Sequence, residues 1–283
     1  MKAMELTTPA VPAEAPPAQR SGLGALIDFR QLIALLVVRE LKVRYKRSVF
    51  GLIWTMLNPL LLMVVYTVVF TTIMPVAQRN FSIFLLSALL PWIFFNTAVL
   101  QGLNSILGNQ DLIRKVRVPQ SVFPLSVVGS NLVNFTLSMV PLFLLMFALQ
   151  QRFSAALLFL PVAVLLLTVF TSGVTLLLAT FTVFFRDVRH LAEVMLQMMM
   201  YLSPVLYDLN MLGQNKAWGF HLFQWFLAVN PLTYLLALVR EPVYYARVPD
   251  ASTIGIATAS SFLALVIGYK VFQRLAPRHI HYL

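Results

Sequence analysis

Cysteine is absent from the chain, which removes disulfides, thiolate metal sites and cysteine nucleophiles. Charge is scarce: 11% of residues are Asp, Glu, Lys or Arg, against roughly 25% in an ordinary soluble domain. Acidic residues are the rarer sign, 10 against 21 Lys and Arg. No glycine-rich phosphate loop of the Walker type occurs, so the chain is not expected to bind a nucleotide by that device. His190, His221, His279 and His281 do not cluster at metal-ligand spacing within any apolar segment, and no serine sits in a nucleophile elbow. The expectation is a chain with no catalytic residue, no metal site and no cofactor of its own.

What fills the sequence instead is apolar: 59% of the 283 residues are hydrophobic and the mean hydropathy is +0.82. A helix needs about 20 residues to cross a hydrocarbon core of about 30 Å. Ser48 to Gln78, Asn80 to Gln110, Val118 to Gln151 and Phe153 to Phe185 carry no charge and each exceeds that length. These are four expected spans of an all-α integral membrane protein. A fifth, ending at Tyr207, must draw Leu191 to Glu193 into its first turn, and Ala251 to Tyr269 supplies the last. Between them, Ala217 to Val239 is interrupted by His221, Gln224 and the Asn230-Pro231 pair.

Six or seven crossings follow, depending on whether that interrupted segment spans. Under either count most Lys and Arg fall on the side of the N-terminus, which the positive-inside rule makes cytoplasmic, and with six crossings the C-terminus lies there too. Six is the favoured number, because Asn230-Pro231 breaks the segment into halves that suit a re-entrant outer gate. The formal net charge of +11 is then an attraction to anionic lipid rather than to nucleic acid.

Residues 1–27 include Pro9, Pro12, Pro16 and Pro17 and have little to bury, the pattern of a disordered cytoplasmic tail. They lack the apolar core of a signal peptide. Residues 28–47 read as an amphipathic helix lying in the cytoplasmic interface, its apolar face turned down to the lipid and its cations near the lipid phosphates. Asp28 is its expected N-cap, Ile33, Val37, Leu41 and Tyr45 repeat on one side, and Arg39, Lys42 and Lys46 line another. In the segment 111–119, Leu112, Ile113 and Val116 form an apolar ridge beside Arg114 and Lys115, the makings of a small docking contact. Arg186 to His190 reads as a solvated turn.

The four long runs contain no Asp, Glu, Lys, Arg or His, but they do contain Asn58-Pro59, Gln101, Asn104, Asn131 and Asn134. Neutral amides can line a path for a polar passenger; they cannot store a proton. Ion-coupled transport is therefore disfavoured, and the energy is expected from a soluble partner at the cytoplasmic face.

Three stretches resemble one family: Arg39-Glu-Leu-Lys-Val-Arg-Tyr-Lys-Arg-Ser-Val-Phe-Gly-Leu-Ile-Trp-Thr-Met-Leu-Asn-Pro59, Leu112-Ile-Arg-Lys-Val-Arg-Val-Pro119, and Phe185-Arg-Asp-Val-Arg-His190 continuing to Ser203-Pro204, with Asn230-Pro-Leu-Thr-Tyr234 adding to it. They look like the membrane subunit of ABC exporters for lipid-linked polysaccharide: O-antigen, capsule or teichoic acid. The resemblance implies an exporter transmembrane domain over residues 28–283, six helices per subunit, and a homodimer in a bacterial inner membrane. The subunit would pair with two copies of a separate ABC ATPase that carries the ATP and Mg. It implies O-antigen as cargo, with capsule, teichoic acid or a small lipid or drug as alternatives. By the same likeness Arg39, Lys42, Arg44, Lys46 and Arg47 belong to the interface helix. Leu112, Ile113, Arg114, Lys115, Val116 and Arg117 couple to the ATPase, and residues 209–239 form the outer gate. The path would run between subunits along the first and fifth spans. Sugar rings stack on aromatic side chains, which makes Tyr66, Phe70, Tyr201, Tyr207, Trp218 and Trp225 candidates for the channel and gate.

Overall fold

The computed structural model describes residues 29–46, 48, 50–51, 53–69, 80–115, 118–208, 218–279 and 282, and these are helices and their connections with no strand among them. The helices are α1 (Arg30–Tyr45), α2 (Ile53–Val68), α3 (Phe81–Leu103), α4 (Gln110–Lys115), α5 (Val122–Ala148), α6 (Leu160–Phe184), α7 (Val188–Leu202), α8 (Trp218–Val229), α9 (Pro231–Arg240) and α10 (Ala251–His279). The expected tail 1–27 and the N-cap Asp28 lie outside the described residues. Phe29 occupies the cap position of α1 without a side-chain cap hydrogen bond.

Four stretches are long and apolar enough to cross a membrane: α3, α5, α6 with the 3-10 turn before it, and α10. The first expected span is seen as α2, which has 16 residues, and the fifth as α7, which has 15. At 1.5 Å per residue each falls short of a hydrocarbon core.

Two sets of hydrogen bonds show which helix ends lie together. The Asn80 amide donates to Gln151 Oε1 (2.9 Å), and Gln151 Nε2 donates to the Tyr244 carbonyl (2.8 Å). The start of α3, the end of α5 and the chain after α9 therefore share one end. At the other, His279 Nδ1 lies 2.7 Å from Gln120 Oε1 and its ring sits 5.4 Å from that of Phe184. This second end holds α1, α4, the start of α5 and the close of α6 and α10; it carries most of the described Lys and Arg and is called the basic end below.

The centre of the bundle is α3. Of its most apolar stretch 78% is buried, against 17% for α10. Phe84, Leu85, Leu86, Leu89 and Phe94 are shut off from the surface, Phe94 stacks on Phe135 of α5 at 5.3 Å, and Phe95 meets Phe170 of α6 at 5.7 Å. Lipid is as apolar as leucine, so association rests on close packing. The α6–α10 crossing shows how close: a Cβ on Gly268 would stand 2.1 Å from the Gly173 carbonyl oxygen. Only glycine at both positions lets the two backbones touch.

Proline appears inside α2, α3 and α5 as Pro59, Pro91 and Pro141. Each removes one donor and frees the carbonyl four residues earlier. For Pro59 that carbonyl belongs to Thr55, and the Ser138 hydroxyl of α5 donates to it at 2.9 Å. The break in α2 is thereby turned into a bond between helices, as burial in lipid requires.

The interface helix corrects one expectation. The stripe Ile33, Val37, Tyr45 does not face lipid; it packs on the bundle. Leu36 is buried with Val122 and Phe123, Ile33 and Leu32 join that cluster, Val37 lies against Gly129, and the Tyr45 hydroxyl donates to Asn134 Oδ1 at 3.1 Å. Leu35, Val38 and Val43 are the apolar residues left outward. A helical stripe states that residues share a face; it does not say whether protein or lipid covers it.

Candidate functional site

The turn from α1 into α2 sets the geometry of the basic end. Gly51 adopts a left-handed φ of +49°, a conformation glycine enters without a Cβ penalty, and its N–H donates to the Ser48 hydroxyl at 3.0 Å. The chain reverses sharply there, and the last turn of α1 comes to lie against α3 and α5.

Between α1, α2, α3 and α5 lies a cavity of about 360 Å³. Four of the five amides singled out in the sequence line it: Asn58, Gln101, Asn131 and Asn134. Asn104 instead ends α3. Thr97 and Ser138 add hydroxyls, and Trp54, Phe94 and Phe135 supply aromatic walls. Among the described residues one cation, Arg44, lines the cavity and no carboxylate does. The Arg44 guanidinium donates to Asn131 Oδ1 at 3.2 Å and to Gln101 Oε1, while Asn131 Nδ2 donates to the same Gln101 oxygen at 2.9 Å. Beside it Tyr45 is half-buried, and that burial raises its phenol above the ordinary value against the opposing pull of Arg44. Asn58 makes no hydrogen bond to another described residue.

The remaining interface cations point elsewhere. Arg39 donates to Asn109 Oδ1 (2.7 Å) and to Glu40 (3.2 Å), tying α1 to the turn before α4. Lys42 and Lys46 are exposed. Arg47 lies outside the described residues, as do Val116 and Arg117 of the docking segment. Within α4, Leu112 and Ile113 are half-buried against the α1–α5 cluster, and Arg114 and Lys115 are exposed. Leu112 and Ile113 are thus turned inward to α1, and Arg114 and Lys115 make the outward face of the described knuckle cationic.

At the opposite end the residues behave differently. Arg240 is 7% exposed; its guanidinium donates to the carbonyls of Val205 (2.8 Å) and Tyr207 (3.5 Å) and rests 4.1 Å above the Phe84 ring. The Tyr245 hydroxyl donates to Asp208 at 2.6 Å, and burial together with that bond pushes its phenol well above the usual range. Asn230, between α8 and α9, caps α9 through Leu232 N–H (3.0 Å), and its amide donates to Ser203 (3.0 Å). The break at Asn230 and the far end of α9 both meet the chain following α7.

The aromatic candidates are scattered. Tyr66 packs half-buried on the central cluster. Tyr201 and Trp225 are 61% and 64% exposed. Tyr207 lies 5.9 Å from Phe223 and donates to the Tyr201 carbonyl at 3.3 Å. Phe70 and the side chain of Trp218 lie outside the described residues. The sequence reading missed Arg44 as a cavity residue and Arg240 as a buried one. For Arg44 a signal existed, since it continues the inward stripe through Leu36, Val37 and Leu41.

Residues 31–244 match the family described as ABC-2 type transporter. The chain is 38% identical over 248 residues to the O-antigen export system permease protein RfbA of Myxococcus xanthus, covering 88% of this chain and 94% of that one. It is 30% identical over 257 residues to an RfbA permease of Klebsiella pneumoniae, covering 90% and 95%. It is 21% identical over 250 residues to the polysialic acid transport protein KpsM of Escherichia coli, covering 85% and 92%.

Proposed function

The chain belongs to the ABC-2 type transporter family, and from that premise we propose that it is the permease subunit of an ATP-driven exporter of lipid-linked polysaccharide, with O-antigen as the cargo. The observation that carries this reading is the near full-length similarity to O-antigen export permeases. The more distant similarity to KpsM favours capsular polysaccharide as the second choice. The permease does not itself catalyse; a separate ABC ATPase in two copies hydrolyses ATP with Mg, and two permease chains form the conduit in the inner membrane.

In this reading α2, α3, α5, α6, α7 and α10 make six crossings, with both termini and the basic end in the cytoplasm. Helices α8 and α9 form the re-entrant outer gate. Support comes from the meeting of Asn230 with Ser203 and of Arg240 with Val205 and Tyr207, which returns the segment to the level it left. The exposed apolar faces of α2 and α7, including Val64, Val65, Val194 and Met198, suit the seam between two copies. Tyr201 and Trp225 then stand open to a passing glycan. Arg114 and Lys115 meet the ATPase, and Leu112 and Ile113 pass its motion to α1.

Deletion of the gene tests the cargo: surface polysaccharide is lost and its lipid-linked form accumulates inside. Retention of the full surface polysaccharide overturns the reading. Topology is tested separately by single cysteines at Gln214 and Arg247, since the chain has none of its own. Labelling of both from outside agrees with six crossings; labelling from opposite sides requires seven.

A further inference from the structure

We propose that the cavity between α1, α2, α3 and α5 is a binding site for a glycosyl phosphate, that is, one sugar ring with its anomeric phosphate; this rests on the polysaccharide reading above. Its volume of about 360 Å³ falls at the lower end of the roughly 300–1,000 Å³ usual for small-molecule sites, so it admits a headgroup rather than a long chain.

The lining has the two chemistries such a ligand needs. Asn58 and Asn134 line the cavity together with aromatic rings that include Trp54 and Phe135. Amides accept and donate to sugar hydroxyls at once, and the rings offer apolar faces to the sugar C–H groups. Asn58 is the telling residue: it is exposed on α2 and makes no hydrogen bond to another described residue, an unpaired amide on a membrane helix is costly in lipid, and a hydroxyl-bearing ligand in the cavity relieves it.

Arg44 reads the phosphate. Among the described residues it is the one cation of the lining, which includes no described carboxylate, and two of its five N–H donors are directed at Asn131 and Gln101. The remaining donors are enough for a fork of hydrogen bonds to phosphate oxygens, the geometry at which arginine excels. Because Arg44 and Tyr45 belong to the last turn of α1, the ligand sits where the interface helix joins the bundle.

The test is tryptophan fluorescence of the purified permease–ATPase complex in nanodiscs, with Trp54→Phe as the control that must lose the signal. The probes are a water-soluble hexose 1-phosphate, free hexose, inorganic phosphate, and a polyprenyl-linked sugar phosphate incorporated in the nanodisc. Saturable binding of hexose 1-phosphate is expected, about tenfold or more tighter than that of free hexose, which lacks the charged contact to Arg44, or of inorganic phosphate, which lacks the sugar's contacts to the amides and rings. Arg44→Gln should erase that preference. Asn134→Asp, which keeps the acceptor for Tyr45 and places a negative charge in the cavity, should do the same in a chain that still folds. Tighter binding of the lipid-borne probe assigns the site to the exported molecule; preference for the soluble probe assigns it to a cytoplasmic sugar phosphate. No saturable response to either, equal binding of free hexose, or an unchanged preference in both variants overturns the proposal. Failure here with loss of surface polysaccharide on gene deletion leaves the exporter reading standing; the reverse pattern leaves a sugar-phosphate site in a permease for another cargo.

Discussion

Arg44 and Arg240 lie at opposite ends of one helical bundle and are held in opposite ways. Arg44 is half-buried and its partners are side-chain amides of two neighbouring helices, Gln101 on α3 and Asn131 on α5. Arg240 is buried and its partners are backbone carbonyls and the face of Phe84. Amide side chains rotate and exchange partners; carbonyls after a helix end do not. The basic end therefore keeps its cations available to a ligand or a partner, while the other end spends its arginine on fixing α9 against α3 and the chain after α7.

Substitutions can break or sharpen this contrast. The largest effect is expected from Arg240→Met, which strips two buried carbonyls of their donor. Stability in detergent should fall by about 3 kcal/mol, read as thermal unfolding, with loss of export. A native unfolding temperature would show that Arg240 is no lock. Next comes reversal of the outward knuckle charge, Arg114→Glu with Lys115→Glu. The ATPase should no longer co-purify and export should cease, because like charges across a contact cost several kcal/mol, yet unfolding should not move. Equal recovery of ATPase would remove α4 from the contact. Third, Ser138→Ala removes the hydroxyl that donates to the Thr55 carbonyl freed by Pro59, for an expected loss of about 1 kcal/mol. No change would mean that another donor reaches it. The smallest effect belongs to Arg247→Ala. Its ion pair with Glu241 (3.2 Å) is 60% exposed on the arginine side, so the change should stay within about 0.5 kcal/mol and mark the baseline for the others.

Much of this molecule is legible in its sequence. The charge-free runs located α3, α5 and α6 because a hydrocarbon core imposes a minimum apolar length that chance composition does not produce. The amides Asn58, Gln101, Asn131 and Asn134 stood out for the same reason, as polar groups where lipid tolerates few. The Asn230-Pro231 break was legible because proline at the first helical position and asparagine before it are a helix start, and the structure begins α9 there. Less legible was α7, whose apolar run opens with Arg189, His190 and Glu193.

By itself the sequence determined the membrane class, the approximate spans and the basic side, since all of these follow from composition summed along the chain. Only the tertiary structure decided which face of α1 is covered, that Ser138 answers Pro59, that amides of two helices converge on Arg44, and that Arg240 is buried. These depend on side chains from segments distant in sequence meeting in space. Periodicity along one helix carries no record of which neighbour it will meet.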